Sequence, residues 1–342
     1  MSSDDEPKRA QTPAEPEKGF GHGLISVISA CYNESEAIGL FYAELKRILQ
    51  TLKDWEHEII FVDDGSEDNT CAQLNKIAEN DPCVRVYSFS RNFGHQIALT
   101  AGIDAAEGEA LITMDADLQH PPELIAQMIH KWKEGYDIVS AVRNATEGAS
   151  RFKKMTSKGF YFILNVLSET PIPQGVADFN LFSRRAYRVL RNMPERHRFL
   201  RGMTSWIGFN RAFLPYSAAQ RAAGESKYTV FKMVTLALNA IFSFSAAPLR
   251  IATRIGLMIT FCGFVYLAWI LERYFVSGDT VPGWASLIGV TLILGGFNLI
   301  SVGLLGQYLS RVFEEVKRRP MYILKQEPGH RRDAQARQAP RE

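Results

Sequence analysis

The chain has 342 residues, 46% of them hydrophobic and 22% charged, with a formal net charge of +2. That length allows one large domain or two small ones. The near-neutral balance, with no basic stretch interleaved with aromatics on the soluble part, excludes nucleic acid as an expected partner.

Residues 1–22 are rich in Pro, Glu, Lys and Ser, and Phe20 is their one large apolar group beyond the first Met. Such a stretch cannot bury enough surface to offset its ordering entropy, and the reading is a disordered tail. No charged-then-apolar leader opens the chain, so no cleavable signal peptide is expected. Cys31, Cys71, Cys83 and Cys262 lack paired metal spacing and read as free thiols facing a reducing compartment.

A regular alternation follows. Leu24 to Ala30 reads as a strand, Glu36 to Leu52 as a helix, Glu58 to Val62 as a strand and Thr70 to Glu79 as a helix. Val84 to Phe89 is a third strand, His95 to Ala106 a helix and Ala110 to Met114 a fourth strand. Strands alternating with helices of this length predict an α/β domain, over 23–228, with a mostly parallel sheet and helices on both faces. Ligands of such sheets bind beyond the carboxyl ends of the strands.

Three of those ends carry polar groups: Tyr32-Asn33-Glu34, Asp63-Asp64-Gly65-Ser66, and Asp115-Ala116-Asp117-Leu118-Gln119. Ser66 and Asp68 also fit ordinary helix N-caps. Adjacent Asp63 and Asp64 fit that reading less well, because like charges side by side call for a donor nearby. A nucleoside's base and ribose offer such donors, and Arg91-Asn92-Phe93-Gly94 is a further candidate for the same crevice. While the backbone stays extended, residues two apart point to one side, so Asp115, Asp117 and Gln119 present three oxygens to one spot. Hard oxygen ligands suit Mg²⁺ or Mn²⁺ bridging to substrate phosphates. The alternative is a solvated strand end, since Asp-x-Asp alone is a weak signal.

Farther on, 229–252 is apolar and aromatic with few charges, ends at Pro248 and Arg250, and reads as interfacial helices. A buried core helix is the alternative. Ile255 to Leu271 and Val281 to Ser310 are uncharged, predicting transmembrane helices over 253–275 and 283–310. Arg250 and Arg254 precede the first, Arg311, Lys317, Arg318 and Arg319 follow the second, and the loop between holds only Arg273 as a cation. Positive-inside counting puts both ends in the cytoplasm, with 311–342 a cytoplasmic tail that is polar and loose beyond Gln326. Neither uncharged run, Ile255 to Leu271 or Val281 to Ser310, carries the acidic or basic groups a transport path needs. Glycines 289, 295, 296, 303 and 306 suit close helix packing between subunits.

Tyr32-Asn33-Glu34, the Val62–Ser66 stretch VDDGS and the Asp115–Gln119 stretch DADLQ resemble inverting family 2 glycosyltransferases of the GT-A fold. Ala177-Asp178-Phe179, the run from Arg221 to Tyr228, Met193-Pro194-Glu195-Arg196 with Phe199 and Gly202, and the two spans resemble the polyprenyl-phosphate branch. That branch includes dolichyl-phosphate mannose synthases and bactoprenol glucosyltransferases. The resemblance covers about 24–325. It departs at Ala30, where the family has proline, and at Lys153 and Lys154, where relatives often carry arginine.

The resemblance implies a UDP-sugar donor held by Ala30, Tyr32, Glu34, Asp64, Asp115 and Ala116, with Glu34 and Asp64 on the uracil. It implies Asp117 and Gln119 as ligands of Mg²⁺ or Mn²⁺, and Asp117 and Asp178 as the catalytic acids. An acceptor monophosphate needs cations, and Arg143, Arg151, Lys153, Lys154 and Lys158, with Ser157 as a hydroxyl donor, supply them. That basic run reads equally as a solvated or lipid-facing surface. Arg221 and Lys227 fall in a segment expected to close on the phosphates, about Gly224 as a hinge. The expected activity is transfer of glucose from UDP-glucose to undecaprenyl phosphate, by a multi-pass homo-oligomer, with a tetramer as one option, in the bacterial inner membrane. A processive polysaccharide synthase is the rival, but its Gln-x-x-Arg-Trp motif is missing: no Trp follows an Arg.

Overall fold

The computed structural model describes residues 23–143, 175–217, 247–272, 275–276 and 283–326. Among the described residues eight strands form one mixed sheet: β1 (Leu24–Cys31), β2 (Glu56–Asp63), β3 (Val84–Phe89), β4 (Ala110–Thr113), β5 (Ile138–Arg143), β6 (Val176–Ser183), β7 (Arg211–Tyr216) and β8 (Leu324–Gln326). Their order is β7-β5-β6-β4-β1-β2-β3-β8. The β1–β2, β1–β4, β2–β3 and β5–β7 pairs are parallel, and β3–β8, β4–β6 and β5–β6 antiparallel. This is the GT-A-like α/β arrangement with a mostly parallel sheet.

The connections explain where a ligand must go. From β1 the chain steps outward through β2 to β3, then returns to place β4 on the other side of β1. That reversal opens a crevice at the carboxyl ends of β1 and β4. Register sets the ends of β1 and β2 level, Cys31 opposite Asp63, while β4 stops three residues short of the end of β1, with Thr113 opposite Ile28.

Helices cover both faces. On one lie α1 (Ile38–Leu49), α2 (Thr70–Asn80) and α4 (Leu124–Lys133). On the other lie α3 (His95–Ala105), α5 (Arg184–Asn192) and α6 (Leu200–Trp206). The amphipathic spacing of α1 buries Ile38, Phe41, Leu45, Ile48 and Leu49. Phe41 meets Phe61 of β2 edge-on, centroids 6.2 Å apart, and each such fully buried ring contributes about 2–3 kcal/mol. Helix α1 starts two residues later than its sequence spacing predicts, because Glu34 O first takes the N–H groups of Ala37 and Ile38 in a tight turn.

Two long helices follow, α7 (Ala247–Glu272) and α8 (Trp284–Lys317). Pro248–Tyr266 and Ile293–Lys317 are long and apolar enough to cross a membrane, and neither is buried within the chain. Pro248 and Arg250, expected to end the interfacial stretch, stand at the start of a helix. They lie in the first turn of α7, where proline's missing N–H costs nothing. At 34 residues α8 is about 51 Å long at 1.5 Å per residue, well beyond a hydrocarbon core of about 30 Å. Residues 311–317, expected as tail, are its last turns. Arg318, with φ of +47°, stops it, and Leu324–Gln326 return to the sheet beside β3.

The expected tail 1–22, most of the interfacial stretch 229–252 and the end of the chain past Gln326 lie outside the described residues. So do Arg151, Lys153, Lys154, Ser157, Lys158, Arg221 and Lys227.

Candidate active site

A cavity of about 1220 Å³ opens at the reversal point. Ala30, Tyr32, Glu34, Asp64, Asp115, Ala116, Asp117, Gln119, Arg143 and Asp178, all singled out from sequence, line it together. His95, His120, Arg196, Arg198, Arg201 and Tyr216 also line it, and sequence reasoning gave them no role.

The loops after β1 and β2 are stitched to each other. Asn33, in a left-handed conformation at φ 54°, donates its N–H to Ser66 Oγ at 3.0 Å and accepts from Glu67 N at 2.9 Å. Glu34 N donates to Thr70 Oγ1 and Ser35 N to Asp68 Oδ2. Ser66 and Asp68 are therefore cross-loop ties, and Asp68 also serves the start of α2, its Oδ1 accepting the Thr70 N–H at 2.9 Å, while the side chain of Asn69 makes no capping bond. Gly65, at φ +69°, passes so close to the β3 loop that a Cβ would lie 2.4 Å from the carbonyl carbon of Arg91. Only glycine fits there.

The Asp63–Asp64 pair does not wait for a ligand's donors. Asp63 Oδ1 accepts from Ser66 N, and the Asp64 carboxylate accepts from Phe93 N at 2.7 Å and Gly94 N at 2.9 Å. Only Asp64 of the two lines the cavity. Burial pushes its carboxyl above the usual range, against the pull of those two backbone N–H groups.

Asp115, Asp117 and Gln119 share the cavity for a different reason from the one expected. The strand ends at Thr113, so side-chain alternation does not carry through 119. A bend follows, with Leu118 at φ +59°, and Asp117 Oδ1 accepts the Gln119 N–H at 3.1 Å. Behind it His120 stacks on Phe179 at 5.3 Å and its Nδ1 accepts the Asp115 N–H. That leaves a neutral His120 its proton on Nε2, 3.7 Å from Asp115 Oδ2. Burial pushes the Asp115 carboxyl up. Among the described residues Asp115 Oδ1 is buried and accepts no hydrogen bond, its nearest cationic neighbour being His95 Nε2 at 3.4 Å, and its lone pairs suit a cation or a ligand hydroxyl.

Among the described residues no three His, Cys, Asp or Glu are gathered as a complete metal cage. Two carboxylates and a carboxamide beside an open cavity still fit Mg²⁺ or Mn²⁺, which take one or two protein carboxylates and complete their shell with waters and phosphate oxygens.

Opposite stands a charged pair. Arg201 grips Asp178 with both Nε and Nη2, and Thr113 Oγ1 fixes the Asp178 carbonyl at 2.8 Å. Burial pushes Asp178 up, but Arg201 and His95 outweigh it and hold the carboxyl well below the usual range. His95 Nε2 lies 3.4 Å from Asp115 Oδ1 and 3.6 Å from Asp178 Oδ2. Burial pulls the His95 imidazole down, and the two carboxylates more than reverse it. Arg198 has a structural task, donating to the carbonyls of Leu190, Met193 and Glu195. Burial pushes the Tyr216 hydroxyl up to about 12, so it remains a donor at neutral pH.

The signals for the missed residues were faint but present. His95 opens the helix after the third strand, a ligand-facing position in this architecture. Arg201 closes a run of basic residues that begins at Arg196.

Comparison with known proteins gives the arrangement relatives. The sequence profile "Glycosyl transferase family 2" matches residues 26–191. The "Prophage bactoprenol glucosyl transferase homolog" of Escherichia coli (strain K12) is 42% identical over 301 residues, covering 88% of this chain and 98% of that protein. The "Bactoprenol glucosyl transferase" of Shigella phage SfV is 43% identical over 303 residues, 89% of this chain and 98% of its own. The "Uncharacterized glycosyltransferase YkcC" of Bacillus subtilis (strain 168) is 40% identical over 308 residues, 90% of this chain and 95% of that protein. Among solved structures, a mannosyltransferase of Pyrobaculum calidifontis in complex with GDP-Man and Mn²⁺ aligns with a TM-score of 0.41 and 16% identity, over 86% of this chain and 87% of that one.

Proposed function

The chain belongs to glycosyl transferase family 2, and from that membership we propose that it moves glucose from UDP-glucose to undecaprenyl phosphate, with inversion, at the cytoplasmic face of a bacterial inner membrane. The observation that carries this reading is the likeness to bactoprenol glucosyl transferases over 301 residues and more, which runs well past the catalytic sheet. Both apolar helices cross the bilayer on this reading. Gly295, Gly303 and Gly306 leave open surface along α8, which supports association with further copies of the chain.

The residues divide the work. Glu34 and Asp64 receive the base. Asp64 uses its carboxylate to hold the Phe93–Gly94 backbone and keeps lone pairs for a uracil N–H. Asp115 takes the ribose or diphosphate side, with Ala30, Tyr32 and Ala116 forming the wall. Asp117 and Gln119 hold a divalent cation. Such a cation, when bound, neutralises the charge that develops on the departing diphosphate.

Arg143 supplies positive charge for the acceptor phosphate, joined by Lys153 and Ser157, with Arg221 and Lys227 closing over the phosphates. The acceptor is a phosphate monoester whose second pKa is about 6, so near neutrality it already lacks the proton that a general base would remove. Asp178 is held too acidic to serve as a strong base. Its task is to fix Arg201 and His95, so that donor and acceptor meet in line.

Membranes containing the protein, incubated with undecaprenyl phosphate and a panel of labelled nucleotide sugars, test the reading. Label from UDP-glucose should enter the chloroform-extractable lipid. Transfer from another sugar alone would replace glucose in the proposal, and no lipid label from any donor would refute it.

A further inference from the structure

The loop 193–199, between α5 and α6, is braced from three sides. Inside it, Arg198 reaches three carbonyls. From α3, Gln96 Oε1 accepts the N–H of Leu200 at 2.9 Å. From the last turn of α8, Glu315 Oε1 accepts the N–H of Arg196 at 2.8 Å, and Glu314 lies 3.2 Å from His197 Nε2. Glu315 is half-buried where Glu314 and Val316 beside it are exposed, so it is the member of the pair turned inward.

The same end of the chain is fastened a second time. Tyr322 stacks on Phe89 at 5.1 Å and its hydroxyl reaches Asp104 Oδ2 at 3.3 Å. Ser90 N donates to Ile323 O, and Leu324–Gln326 pair with β3. Both attachment points lead straight into the cavity. The loop carries Arg196 and, one residue into α6, Arg201 with its grip on Asp178. Strand β3 runs into Asn92, Phe93, Gly94 and His95.

We propose that Glu315 is a positioning residue for the transfer: by holding the Arg196 N–H from the end of the second apolar helix, it sets the loop that places Arg201 against Asp178. The membrane helix and the catalytic cavity are thereby one mechanical unit. The inference rests on the cavity being the transfer site, and it assigns Glu315 a hydrogen-bond acceptor's role in which its charge is incidental.

The test compares Glu315→Ala, Glu315→Gln and the wild type in membranes or nanodiscs. Glu315→Ala should lower kcat about tenfold with the KM for UDP-glucose within about twofold, since small displacements of reacting groups are costly. Amide exchange of residues 196–201 should rise about tenfold in the same variant, as a local opening becomes easier. Glu315→Gln, whose Oε1 accepts the same N–H, should restore both. If the alanine variant does not accumulate, Glu315→Asp keeps the charge but shortens the reach, and should behave as the alanine variant would. Normal exchange and turnover in Glu315→Ala or Glu315→Asp, or a glutamine variant as impaired as alanine, would overturn the proposal. The exchange measurement needs no substrate, so it decides the role of Glu315 even if the wild type makes no lipid-linked sugar.

Discussion

Arg201 holds Asp178 through both carboxylate oxygens, at 2.8 and 3.0 Å, in the lining of the cavity. A carboxylate so engaged is an anchor. It also explains why an acid on β6 can stay ionised in a half-closed site: the guanidinium replaces the water that burial removed.

Asp178→Asn should therefore lose activity through misplacement. Turnover is expected to fall about a hundredfold, the scale of a small displacement at a reacting centre. The defect relative to wild type should stay constant from pH 6 to pH 8.5. Initial rates across that range check it, and a defect that shrinks steeply as pH rises would identify a true base. The pair's contribution to stability follows its depressed carboxyl. It is complete above the ordinary Asp value of about 4 and lost as pH falls below it.

His95 carries the opposite sign. Its imidazole is raised by two carboxylate neighbours, so its contribution to stability is complete below the ordinary value of about 6.5 and is lost as pH rises through the raised value. His95→Gln should lower Tm most at pH 6 and progressively less toward pH 9. Thermal melts of both proteins in one detergent, taken at half-unit steps, decide it. A gap that widens with pH would contradict the charged His95.

Asp117→Asn should abolish lipid-linked sugar formation, with a drop of at least about a hundredfold, the size expected when transition-state charge loses its partner. The variant should remain folded and membrane-bound. EDTA should silence the wild type, and added Mg²⁺ or Mn²⁺ should restore it. Full activity of the variant in EDTA would remove Asp117 and Gln119 from any metal role.

The flanking charges predict an orientation. A single cysteine at Ser277, in a background without the native cysteines, should react with an impermeant thiol reagent from outside the inner membrane. A cysteine at Ser2 should be protected in intact cells. The reverse pattern would separate the cavity from the cytoplasmic supply of nucleotide sugar.

Much of this was legible in the sequence because it depends on neighbours along the chain. The strand Val84–Phe89 and the helix starting at His95 stand where the sequence pattern puts them. Glu34, Asp64, Asp115 and Asp117 follow from strand ends, whereas Asp178, inside β6, came only from the family resemblance. What stayed hidden depends on backbone exceptions and on distance. Leu118 takes a left-handed conformation without being glycine, and no pattern of side chains announces that. Arg201 and Asp178 are separated by the rest of β6, by α5 and by the loop 193–199, and only tertiary folding brings them together. Strand β8 has three residues, too few to show a period.

That short strand has a consequence for how the protein is made. Until Leu324–Gln326 emerge from the ribosome, β3 is a bare sheet edge, open to any extended segment nearby. Closing it joins residues separated by most of the chain, a contact that pays its loop entropy late. The edge seals, and the loop beside Glu315 settles, only after both apolar helices have been synthesised. A chain truncated before Leu324 would carry every side chain that lines the cavity and still leave its catalytic sheet exposed to its neighbours.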